Sequence, residues 1–487
     1  MRTALSTSAR ALALAACLGC GAAQAAGMGA AEARHFLVRT GFEASPERIE
    51  AVARLTRREA VEDALQATRL APRQPAPQWA GDWERPGRIR QMGADERQAF
   101  RRQLIARSLE LKGWWLDEMV GTDSPLTERM TLFWHNHFTS SLQKVRSPVL
   151  MYRQNLTLRR DAFGSFAVLL HEIARDPAML VYLDTARNRR GEPNENFARE
   201  LMELFTLGEG HYREQDVKEA ARAFTGWSID PATGEFVFRP RMHDDGTKTV
   251  LGHTGDLGGD EVLDILLARP ETARFIAAKL WREFVSPAPA SDAERAELER
   301  VALTFRETGY SIKAALRELL MTDAFWAPAN RGVLVKSPAD LVVGTLRQFR
   351  VGYSDPLPFV LTLRQLGEDL FAPPNVRGWP GGEAWIDSKT LLAREQFLER
   401  LTRVDEARMA GAAMRPADDP ERPMAGRVMR AMLDIRFSAA DWMKSLDGRE
   451  GLMPAVLLPL PPVNPAPGGD GMARVRALLA DPVYQLK

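Results

Sequence analysis

The chain has 487 residues, 45% hydrophobic and 26% charged, enough for one large core or two smaller ones. Its 65 Lys and Arg against 64 Asp and Glu leave a net charge of +1, so bulk electrostatics selects neither nucleic acid nor an acidic surface. The two cysteines, Cys17 and Cys20, both stand near the start, which excludes disulfides, thiolate metal sites and a Cys nucleophile from the rest.

Arg2 and Arg10 precede the apolar run ALALAACLGCGAA and the A-x-A triplet Ala23-Gln24-Ala25. This predicts a secretory signal peptide over residues 1–25, because the run is well short of the roughly 20 apolar residues a membrane span needs. The expected location is therefore periplasmic or secreted. Leu14-Ala15-Ala16-Cys17 also resembles a lipobox, which would leave a lipid-anchored Cys17 as the alternative.

Helical pieces follow from residue 28. Ser45-Pro46 places a cap before a proline at the first helical position, and Thr56-Arg57-Arg58-Glu59 is a capping box. Residues 71–90 read as a connector rich in Pro, Trp and Arg, ahead of a long amphipathic helix from Asp95 to Val120. Ser124-Pro125 opens the helix that runs into WHNHF, residues 134–138.

PNENFARELMELFTLGEG, from 193, predicts a helix capped by Asn194 and stopped at Gly208 and Gly210. At about 100° per residue, Phe197, Leu201, Leu204 and Phe205 share its apolar arc, while Asn196, Glu200 and Glu203 fall on the polar side beside Arg199. A partner helix spans Asp216 to Phe224. The convincing β signal is GEFVF (234–238), a polar turn at His243-Asp244-Asp245-Gly246, and Lys248 to Leu251, read as two or three strands.

Helices then return and dominate to the C-terminus. They are interrupted by FAPPNVRGWPGGEAWID (371–387), a Pro- and Gly-rich loop with Trp379 and Trp385. The expected class is mainly α, a multi-helix globular domain with a small β-hairpin insertion near residues 227–254. The expected segments are a helical domain over 28–452, a Pro/Gly-rich linker over 453–471, and a C-terminal helix over 472–487 packing back on the domain.

The order of WHNHF (134–138), DPAMLVYLD (176–184), PNENFARELMELFTLG (193–208), DVKEAARAFTGW (216–227), HDDGTKTVLG (243–252), KLWREFV (279–285), VKSPADLVVG (335–344) and PPNVRGWPGG (373–382) resembles the bacterial exported family catalogued as domain of unknown function 1800. The resemblance implies a mostly helical exported protein and carries no established activity. It also implies a neighbouring exported partner of the sulfatase-like family of unknown function 1501. Many relatives carry His where this chain has Phe205, so no ligand role is expected there.

With no thiolate available, a metal would be held by His and carboxylate. The leading expectation is an envelope hydrolase, with His135, His137, His243 and Asp244 as ligands of a divalent metal. In this reading Glu200 is a ligand or general base beside Asn196, and Arg199 clamps an anionic group. On a regular helix, however, His135 and His137 point about 200° apart and cannot chelate one ion. The metal reading therefore requires the helix to end or kink between them. The same polar residues also fit a solvent face, with Arg199 and Glu203 as an i, i+4 pair. A non-catalytic reading stays open: a helical scaffold docking an exported partner through the tryptophan loop, which alternatively presents a stacking platform for sugars. No Gly-x-Ser-x-Gly elbow, P-loop or dinucleotide fingerprint is present.

Overall fold

The computed structural model describes residues 27–83, 85–404, 423–446, 448–464 and 471–487. The expected signal peptide, with Cys17 and Cys20, lies outside the described residues, as does part of the expected linker. The described chain is mainly helical, with two two-stranded antiparallel sheets. No described helix is long and apolar enough to cross a membrane.

Local signals place the helices where the sequence puts them. Ser45 accepts from the Arg48 N–H, and Thr56 and Glu59 exchange both bonds of a capping box. The long Ala94–Gly121 helix rises about 42 Å at 1.5 Å per residue. Its first half runs along the surface, while Leu111, Trp115, Leu116 and Met119 drive its second half into the core. That core is one contiguous cluster running from Ala33 to Tyr484, with Trp115, Trp134, Trp281 and Phe284 fully buried.

The β region has four short strands in two hairpins where two or three strands were expected. Trp227–Ile229 (β1) pairs with Phe236–Phe238 (β2), and Lys248–Val250 (β3) pairs with His253–Gly255 (β4). Leu251 and Gly252, at φ 49° and 85°, make the β3–β4 turn, as a two-residue hairpin requires. The His243–Gly246 stretch therefore joins two hairpins instead of closing one.

The first part of the expected linker, residues 453–458, is helical and packed into the core. Met453–Leu457 is a short helix with Pro in its first turn, and Met453, Val456, Leu457 and Leu458 are buried. Arg34 holds this piece from the other end of the domain, donating to the carbonyls of Val456 (3.0 Å) and Leu457 (2.9 Å). The Gly471–Ala480 helix buries Val475, Leu478 and Leu479, and Lys487 pairs with Asp340 at 2.6 Å. The buried apolar side chains of 453–458 fix this first part of the segment.

Candidate functional site

The Asn196–Glu200 helix begins where the Asn194 side chain accepts the Asn196 N–H (2.9 Å). It continues as a π-helix over Leu201–Thr206, a geometry that concentrates at functional sites. The Leu207 N–H reaches back to the Met202 carbonyl (2.9 Å), and Gly208, at φ 82°, ends the element. The wider turn leaves the Leu204 carbonyl for a side chain, and the Lys279 ammonium donates to it at 3.1 Å.

Lys279 also donates to His137 Nδ1 at 3.0 Å. Burial pulls the Lys279 pKa down to about 7, with Arg282 adding to the effect. Burial, then Lys279, holds His137 well below its usual range, so His137 is a neutral acceptor here. Phe205, whose ring lies 5.9 Å from that of His137, packs against it.

His135 faces the other way. It is fully buried against Trp115, Phe371 and Trp379, with ring centroids 5.3–5.5 Å apart. Neither ring nitrogen has a hydrogen-bond partner, and burial lowers its pKa to about 3. The Pro125–His137 helix runs regularly through both histidines, so the i, i+2 divergence holds and the kink a shared ion needs is missing.

His243 and Asp244 serve the β insertion. His243 Nδ1 donates to the Thr225 carbonyl at 2.8 Å, and the Asp244 carboxylate takes Arg222 at 2.8 and 3.1 Å. The Arg222 bonds hold Asp244 down to about 2. This turn ties the Glu214–Ala223 helix to the hairpins. His135, His137, His243 and Asp244 are thus not gathered around one point, and among the described residues no three His, Cys, Asp or Glu are placed to hold a metal ion.

Arg199 is likewise committed. It binds Glu214 (2.6 and 2.9 Å) and Glu195 (3.0 Å), clamping the two helices of the central pair instead of waiting for an anion, and Glu214 raises its pKa. Its expected partner Glu203 bonds elsewhere, to Arg377 (2.8 Å) and the Tyr212 hydroxyl (3.0 Å). Asn196 is exposed.

Glu200 stands apart from these neighbours. It is half-buried and makes no hydrogen bond or ion pair among the described residues, while burial and then the adjacent Glu203 charge raise its pKa. Tyr182 lies close enough for the Glu200 charge to add to the upward push that burial gives its phenol.

The 371–387 loop closes over this region. The Trp379 backbone N–H donates to Asn136 Oδ1 (2.7 Å), and Gly378, at φ 86°, lies so close that a Cβ there would overlap the Asn136 carboxamide. Arg377 then projects outward to Glu203 and Glu209 (3.2 Å). Trp379 and Trp385 are only 4% and 6% exposed, so the loop offers neither an aromatic stacking platform nor a tryptophan contact surface.

Three of the motif segments therefore converge, WHNHF, the Glu200 helix and the RGW loop, together with Lys279, while the His243 turn does not. Lys279, Arg377 and Tyr212 were not singled out from the sequence. No local signal marked Lys279: Ala277 and Trp281, two residues away, point about 200° from it, and its own helix face also carries Arg282 and Glu283. No curated protein and no solved structure matches the chain. A family model does match, over residues 35–458, and the chain belongs to that family, described as Protein of unknown function (DUF1800).

Proposed function

We propose that this protein is an exported hydrolase of the envelope that works by acid–base chemistry at Glu200. The observation that carries the reading is the contrast between Glu200, half-buried and unpaired, and its neighbours Glu203 and Arg199, each already bonded. A carboxyl whose pKa is raised by burial and by a fixed neighbouring carboxylate keeps its proton to higher pH. In the protonated form Glu200 gives that proton to a leaving oxygen or nitrogen; as the carboxylate it then takes one from the attacking water, restoring itself. Arg377, bonded to Glu203 and Glu209, has a positioning part, fixing the Glu203 carboxylate beside Glu200. His135, His243 and Asp244 have no chemical part in this reading, and Arg199 has a positioning part.

The test is hydrolysis of ester, phosphoester, glycoside and amide probes by the purified chain and by Glu200→Gln, with circular dichroism to confirm folding. General acid–base catalysis contributes roughly 10²–10⁴-fold, so a loss of that size in the folded variant is expected for any probe turned over. Turnover of no probe by the wild type, or equal turnover by the variant, sinks the proposal.

A further inference from the structure

A cavity of ≈730 Å³ lies on another part of the molecule, between the start of the domain and the 446–462 segment. Its walls are apolar, with Ile49, Ala53, Val456 and Leu458, and its lip carries Leu452 and Leu460, which are 47% and 40% exposed. The volume falls within the range of about 300–1,000 Å³ for small-molecule sites.

Its charge is one-sided. Arg34, Arg54, Arg331 and Arg449 line it, against Glu50 alone among acidic residues. Arg54 (2.6 Å) and Arg449 (3.6 Å) share that one carboxylate. Arg331 has only a 3.9 Å contact with Glu32, which is already bonded to Arg57, and its Nε is buried without a partner. Arg34, 6% exposed, spends Nε and Nη2 on carbonyls and makes no hydrogen bond from Nη1 among the described residues. His35, which also lines the wall, bonds the Phe325 carbonyl through Nε2, and burial pulls its pKa down to about 3, so it brings neutral polarity only.

An apolar cavity with an under-matched guanidinium inside it fits a molecule with one apolar tail and one carboxylate. We infer that this cavity binds a long-chain fatty acid, its carboxylate on Arg331 and Arg34 and its chain along Ile49, Val456 and Leu458. Guanidinium and carboxylate match bidentately, and a single cavity takes a single chain. The site is separate from Glu200 and does not depend on the hydrolase reading.

The experiment is equilibrium binding of dodecanoate, palmitate and hexadecanol to the purified full chain, each kept below its aggregation limit. Saturable one-to-one binding is expected, tightening about fourfold per methylene from dodecanoate to palmitate, with hexadecanol at least tenfold weaker than palmitate. Arg331→Gln should weaken palmitate at least tenfold while leaving hexadecanol unchanged. Leu452→Asp, at an exposed lip position that the fold does not need, should weaken both ligands. The inference is overturned by absence of saturable palmitate binding, by hexadecanol binding as tightly as palmitate, or by an unchanged affinity in Leu452→Asp.

Discussion

Replacing Lys279 with methionine probes the junction of the π-helix and WHNHF. The Lys279 pKa falls from 10.5 to about 7 through burial. Between those values the unfolded chain keeps a proton that the folded chain has released, so the folded state gains stability as pH rises through that window. Below pH 7 both states are protonated and the cost of burying the ammonium is fully present, roughly 5 kcal/mol at about 1.36 kcal/mol per pH unit. The Lys279→Met variant lacks this titration. It loses the bond to the Leu204 carbonyl, a pH-independent cost of about 1–3 kcal/mol for a buried group left unmatched. Urea unfolding of both proteins at several pH values separates the two effects. The stability of wild type relative to Lys279→Met should rise by about 3 kcal/mol between pH 7 and 9.5, with unchanged slopes in denaturant. Two stability curves that run parallel within about 0.5 kcal/mol would refute the reasoning, since Lys279 would then be solvated.

Other substitutions separate structural from chemical roles. His135→Phe should leave stability equal or raise it by about 1 kcal/mol, because two unmatched buried nitrogens disappear into an aromatic cage; a loss above about 2 kcal/mol in urea, or loss of a stoichiometric metal by elemental analysis, would restore a ligand role. Gly378→Ala should cost about 2–3 kcal/mol, from left-handed strain plus the Trp379–Asn136 bond, and shift tryptophan emission to the red. An unchanged midpoint and spectrum would contradict that. Asp244, held near 2 by Arg222, contributes stability that is present above pH 3.8 and lost as pH falls through 2. Asp244→Asn should therefore cost about 0.5–1.5 kcal/mol at pH 7, with the gap closing below pH 3; a gap that persists to pH 2 would count against the ion pair.

The helices were legible because their signals are local: Ser45-Pro46 and the Thr56–Glu59 box each act within four residues, whereas the expected Asn194 cap gives way to Glu195 at the cap position, with Asn194 accepting the Asn196 N–H in the turn before it. The candidate site was half legible. The polar grouping of Glu200 with Glu203 follows from helical spacing, but the partners of Glu203 come from residues 212 and 377. Arg199 looked like a partner for Glu203 on an α-helical wheel, yet the π turn starts at Leu201 and a second helix offers Glu214 instead. The fates of Trp379 and Trp385 were equally out of reach. Whether a loop tryptophan is a platform or a plug depends on what lies beneath it, for Trp379 His135 on a helix more than 200 residues away. Met453, Val456, Leu457 and Leu458, beside the single Pro454, are buried, but the Pro- and Gly-rich composition of 453–471 suggested a linker.

The most direct test of the role given to Glu200 compares Glu200→Gln with wild type across pH on whichever probe the wild type hydrolyses. The expected result is a folded variant at least about 100-fold slower, with the limb of the wild-type pH profile assigned to Glu200 missing from the variant. A Glu200→Gln protein with the wild-type rate and the wild-type profile would contradict it.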